Sequence, residues 1–233
     1  MRQVKLHTSH PFVHWLGIEI DAVSSKEKLV SMVGGFVSIT LLLALSQHLL
    51  VGGGALLVAS MGASAVLLFA VPHGQLSQPW PVIAGHVFSA LIGVTCARFV
   101  PSVPLAAGLA VGLSIWMMHQ LKCIHPPGGA TALTAVIGGT PIRHLGYGFV
   151  LSPVLVNALC IVLVAVAFNF LFAWRRYPAF WSRVSPHAER GEIDEPTHDT
   201  VIAALRSLDS FVDISEDDLL RLHSILTHKE RAI

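Results

Sequence analysis

Residues 119–133 read HQLKCIHPPGGATAL: two imidazoles, a lysine and a thiol lead into paired prolines and paired glycines. A proline biases the residue before it away from helical angles, so His125 and Pro126 are expected to be extended. Pro127 then suits the first turn of a new helix, where its missing N–H costs nothing. Gly128 and Gly129 bring the N–H groups of that turn close to whatever lies in front of them. The apolar run Ala130–Ile137 stops at Gly138, Gly139 and Pro141. About twelve residues of helix cover about 18 Å, against roughly 30 Å of hydrocarbon. The stretch predicts a half-helix with a partially positive N-terminus at membrane depth.

The surrounding chain agrees. Its 233 residues are 53% apolar and 12% charged, too apolar for an ordinary soluble domain. The net charge is +1, but no Asp or Glu occurs from Lys28 through Ala188. Nucleic acid is not an expected partner. Cys96, Cys123 and Cys160 are scattered, two of them in apolar runs, so no disulfide framework is expected. The polar N-terminal arm lacks the pattern of a cleavable signal.

Three regions follow. Residues 1–28 are read as a cytoplasmic arm, residues 29–175 as the transmembrane domain, and residues 176–233 as a small cytoplasmic helical tail. Leu29–Val51, Pro81–Val100, Pro104–Leu121 and Gly148–Trp174 are long enough to span a bilayer. Ala55–Val71 is apolar but carries Ser60, Gly62 and Ser64 at its centre. Residues between Ile137 and Gly148 are read as a short loop carrying Arg143 and His144. In the tail, Thr200–Phe211 and Glu216–Thr227 have helical periodicity, the second opened by a capping box of Ser215 and Asp218. Lys26, Lys28, Arg175 and Arg176 place both termini in the cytoplasm, at a cell (inner) membrane, by the positive-inside rule.

The words Gly62-Ala63-Ser64-Ala65-Val66-Leu67 and Gly129-Ala130-Thr131-Ala132-Leu133-Thr134 are similar. Each lies between two long apolar segments. The expected architecture is an all-α polytopic membrane protein of two three-segment repeats, 29–100 and 104–174, each with a re-entrant or broken half-helix. Whether four or six segments cross is left open. Broken helices meeting near the midplane recur in transporters, although small-residue words also recur simply because they pack membrane helices.

The nine residues His125-Pro126-Pro127-Gly128-Gly129-Ala130-Thr131-Ala132-Leu133 resemble the signature of the HPP family of integral membrane proteins. The resemblance extends to Ala59–Ala65 and to Gln78-Pro79 before Gly85-His86, and covers roughly Lys26 to Trp174. It implies an association with nitrite transport, and in some bacterial members CBS domains after the membrane part.

The site follows from charge. An ion at mid-membrane needs its hydration replaced. Two helix N-termini, each equivalent to roughly +0.5 charge, match one monovalent anion. Backbone N–H of Gly62, Ala63, Gly129 and Ala130, the hydroxyls of Ser64 and Thr131, and His125 are the expected donors, with Gly128 allowing close approach. Lys122 and His119 are expected in a vestibule. No carboxylate is available there for a cation, and no metal or cofactor is expected. The expected function is passage of a small inorganic anion, nitrite by the resemblance, with a homodimer as the expected assembly. Competing readings are a membrane sensor without flux, an enzyme built on Cys123 and His125, and a metal site of His119, Cys123 and His125. The enzyme lacks an orienting acid and the metal site a fourth ligand, so no enzyme is expected. His125 as a mere helix cap, and Gly128 and Gly129 as packing residues, are the plainer alternatives. His73, His86 and His144 are read as interfacial.

Overall fold

A computed structural model describes residues 23–49 and 59–182. The arm before residue 23, the glycine break at 52–54 and the tail helices lie outside them. The described residues form seven α-helices and no strand: α1 Ser25–Leu49, α2 Ser60–Ala70, α3 Pro79–Phe99, α4 Val103–Gln120, α5 Pro126–Ile137, α6 Gly139–Leu145 and α7 Val156–Phe170. Four stretches are long and apolar enough to cross a membrane: Ser25–Leu45, Pro79–Phe99, Val103–Gln120 and Val150–Phe170. At 11 and 12 residues, α2 and α5 reach only about 17 and 18 Å.

Three local expectations change. Pro126 already belongs to α5, because the fixed proline φ suits a first helical position; only His125 stays extended, at φ −144° and ψ 99°. The stretch read as a loop after Ile137 contains α6, which starts after Gly138 and ends at Gly146. The last span is not one continuous helix, since Ser152, which precedes Pro153, leaves helical angles at φ −138° and ψ 116°.

The helices sort into two groups. One is α3, α4 and α5; the other is α1, α2 and α7. They meet where α2 packs on α5 and where the Val150–Leu155 turn packs on α3. Small residues bring α3 and α5 together. A Cβ on Gly93 would stand 2.5 Å from the Ala132 carbonyl oxygen, and one on Gly128 would stand 2.7 Å from that of Gly85. Backbones this close gain dispersion contacts that lipid cannot match, which is how membrane helices associate. The core of the second group holds Leu42, Met61, Leu68, Phe69 and Ile161, while Phe36, Leu105, Trp116 and Leu163 face outward.

The C-terminal end of α2 is closed by side chains from far along the chain. Ser77 Oγ donates to the Leu67 carbonyl at 3.0 Å, Asn169 Nδ2 to that of Leu68 at 3.4 Å, and Arg175 Nη2 to that of Phe69 at 2.5 Å. The last carbonyls of a helix have no internal partner and carry its negative dipole end, so a guanidinium suits them. Arg175 also pairs with Glu27, and donates to Asn169 Oδ1 at 3.1 Å and Ser31 Oγ at 3.2 Å. Trp174 Nε1 donates to the other Glu27 oxygen at 3.0 Å. Arg175, read from the sequence as one of the basic flanks that orient the chain, is 1% exposed. Burial lowers its pKa, and the adjacent Glu27 carboxylate opposes that.

Candidate functional site

The site lies where α2 crosses α5, against α3. The chain is turned toward it by the end of α4. There, Lys122 takes a left-handed φ of 52°, its N–H donates to the His119 carbonyl, and the Cys123 N–H donates to that of Met118. This pair of bonds closes a helix with the chain reversed. Trp80 Nε1 donates to the Leu121 carbonyl at 3.1 Å and pins the turn to the start of α3. His125 follows, extended and fully buried.

Helices α2 and α5 run antiparallel past each other. The N-terminus of each lies beside the second turn of the other: Ser60 bonds Thr131, and Ser64 bonds His125. His86 of α3 fills the space between. Five buried side chains thereby join in one chain. Ser60 Oγ is 2.7 Å from Thr131 Oγ1, which is 2.7 Å from His86 Nδ1. His86 Nε2 is 2.8 Å from Ser64 Oγ, which is 2.9 Å from His125 Nε2. His125 Nδ1 ends the chain, 2.8 Å from the Leu76 carbonyl oxygen.

That last contact sets every direction in the chain. A carbonyl only accepts, so His125 Nδ1 carries a proton. With a neutral ring, Nε2 then accepts from Ser64, whose oxygen in turn accepts from His86 Nε2–H. His86 Nδ1 is left to accept from Thr131, and Thr131 to accept from Ser60. Two alternative acceptors are within reach of the hydroxyls: the Ser60 carbonyl, 3.3 Å from Ser64 Oγ, and the Pro127 carbonyl, 3.4 Å from Thr131 Oγ1. The two rings stand 4.9 Å apart between centroids.

Of the residues expected from sequence, Ser64, His125 and Thr131 meet here. Gly128 is buried, packed on Gly85 and Ser89 of α3. Gly129 is half-buried, a Cβ built on it would meet only Val111 at 4.0 Å, and Gly62, Ala63 and Ala130 are exposed. The Gly62 N–H donates to the Ala59 carbonyl at 3.1 Å and the Gly128 N–H to that of His125 at 2.8 Å. Pro126 and Pro127 have no N–H to offer, so the start of α5 presents imidazole and hydroxyl. His119 and Lys122 are exposed. Cys123 is fully buried against Ala84 and Met118. Among the described residues, no three of His, Cys, Asp and Glu stand close enough to hold a metal ion.

Sequence reading missed His86 and Ser60. His86 is not interfacial but fully buried. The available signal was its place eight residues into a 21-residue apolar helix, since an ionisable group inside a membrane segment faces the protein interior. His144 is exposed. His73 is half-buried after α2, its Nε2 without a hydrogen-bond partner among the described residues.

Comparison with known proteins matches this architecture to one family. The family model described as "HPP, transmembrane region" matches residues 20–178. Two relatives from Dictyostelium discoideum, both described as transmembrane proteins, are 35% identical over 185 residues and 40% identical over 129 residues. Those alignments cover 76% and 54% of this chain but 59% and 45% of the relatives, so the chain spans about half their length. No solved structure matches. With a signature built around His125 and a match running through all seven helices, the chain belongs to the HPP family of membrane proteins.

Proposed function

We propose that this protein passes a small inorganic anion, nitrite in the first place, across the membrane in which it sits, with the His86–His125 cluster as the binding station. The observation that carries this reading is the make-up of the cluster: five buried hydroxyl and imidazole groups, no carboxylate, enclosed between the N-terminal turns of α2 and α5. These groups are donor-bearing and carry no negative charge, and both positive helix ends lie alongside. A cation would call for carboxylates or rings of carbonyls.

The helix grouping supports the internal repeat. The first two segments of each half pack with the third segment of the other, α1 and α2 with α7, α4 and α5 with α3. Ser64 and Thr131, which correspond in the two repeated words, bond opposite nitrogens of His86. In this reading α2 and α5 are re-entrant half-helices, and the station lies on the seam between two bodies that can rock against each other. Cys123, buried in apolar contacts away from any acid, favours transport over an enzyme built on that thiol.

Vesicles containing the purified chain should take up labelled nitrite faster than protein-free vesicles. Equal rates for nitrite and nitrate, with and without protein, would defeat the reading; tight binding without uptake would make the protein a sensor.

A further inference from the structure

The hydrogen-bond chain has a property that anion passage by itself does not require. With both imidazoles neutral, every ring N–H and hydroxyl proton is committed, from Ser60 through to the Leu76 carbonyl. No donor is left for an anion. One added proton gives the cluster a full positive charge for an anion to balance, and it is accommodated without moving a heavy atom. On His125 Nε2, it turns Ser64 from donor to acceptor, and the displaced O–H finds the Ser60 carbonyl at 3.3 Å. On His86 Nδ1, it displaces the Thr131 O–H toward the Pro127 carbonyl at 3.4 Å. Each hydroxyl between the rings and the backbone thus has a second acceptor in place, so either ring can receive the proton. The rings are 4.9 Å apart, close enough for one cation to oppose a second.

We propose that the His86–Ser64–His125 unit takes up one proton with each anion, so that the two cross together with no net charge. This rests on the anion reading above. The proton comes from water on the entry side and returns to water on the exit side. A neutral pair avoids the cost of carrying a bare charge through a low-dielectric interior.

The surroundings leave the titration to these two rings. Helices α2 and α5 carry no titratable side chain. Helix α3 adds Cys96, buried in a separate apolar cluster, and Arg98, which is exposed. Helix α4 adds His119, exposed, and the following turn adds exposed Lys122 and buried Cys123. The Val150–Leu155 turn adds none, and α7 adds Cys160, half-buried in the second group's core.

The test uses the full chain in vesicles, labelled nitrite, and separately imposed pH gradients and potassium–valinomycin potentials, with protein-free vesicles subtracted. One proton per anion predicts about tenfold accumulation for each pH unit, alkaline inside, and no response to the potential. Purified protein in weakly buffered detergent should also draw about one proton per nitrite bound, a count that needs no variant. His125→Gln should abolish both effects. Uptake that follows the potential and ignores the pH gradient would overturn the coupling while leaving anion passage standing. Absence of any protein-dependent uptake would remove both.

Discussion

Two buried polar networks hold this protein together, and they are built from opposite materials. The cluster at the α2–α5 crossing is neutral: hydroxyls and imidazoles, each both donor and acceptor. The knot at the end of α2 is charged: Arg175 and Glu27 are both buried, with Asn169, Ser31 and a helix carbonyl as fixed partners. In the first, the Ser64 and Thr131 hydroxyls can each turn from a ring nitrogen to a backbone carbonyl when that nitrogen takes a proton. In the second, guanidinium only donates and carboxylate only accepts, so nothing can reverse. The comparison assigns rigidity to the knot and changeable state to the cluster.

The largest effect should come from breaking the knot. Arg175→Met leaves the Glu27 carboxylate buried and unpaired and frees the Phe69 carbonyl, at a cost of about 3–5 kcal/mol. Thermal unfolding in detergent should fall by roughly 10 °C. Adding Glu27→Gln to that variant should recover part of the loss. A double variant no better than the sum of the singles would show that the pair is not a unit.

The packing beneath the cluster comes next. Gly128→Ala places a carbon 2.7 Å from the Gly85 carbonyl oxygen and 2.9 Å from Ser89 Oγ, which should destabilise by about 1–3 kcal/mol. Gly129→Ala meets only Val111 at 4.0 Å and should be neutral or stabilising by up to about 1 kcal/mol. The opposite order in melting temperature would mean that α5 is rotated relative to this structure.

Within the cluster, Thr131→Val removes the donor to His86 Nδ1 and the acceptor for Ser60. Nitrite affinity should drop about fivefold, the equivalent of about 1 kcal/mol. Ser89→Ala, one turn along α3, should change little, because Ser89 Oγ has no partner among the described residues. Equal losses in the two variants would detach binding from the hydrogen-bond chain.

The smallest effect concerns pH at the edge of the knot. Burial holds His73 below its ordinary pKa of 6.5, Arg175 adds to the lowering, and a backbone bond with Arg176 and the Glu27 charge oppose it. The folded state therefore binds this proton less readily than the unfolded chain. Stability from His73 is level above about 6.5 and declines as pH falls below it. His73→Gln should lessen that acid decline, as melting curves between about pH 5 and pH 8 can measure.

Much of the architecture was legible because its signals are local. Long apolar runs gave the spans α1, α3 and α4 to within a few residues, and the Pro-Pro-Gly-Gly word gave the start of α5. Ser152 was missed because a break before one proline inside an apolar run looks like a tolerated kink. The site was half legible: Ser64, Thr131 and His125 carry a repeated word and a motif, but His86 carries neither. Its role depends on partners 22 and 45 residues away.

The sequence by itself determined a helical membrane protein with two short helices and no acid among its apolar segments. Those properties follow from composition, periodicity and the backbone chemistry of proline and glycine, which act over a few residues. Only the tertiary structure decided that α2 and α5 pass antiparallel, that His86 links them, and that Arg175 leaves the surface to reach Glu27, 148 residues earlier. A side chain with several hydrogen-bonding options is silent about which it will use. The choice is made when packing brings a complementary group within 3 Å and excludes the water that would otherwise compete.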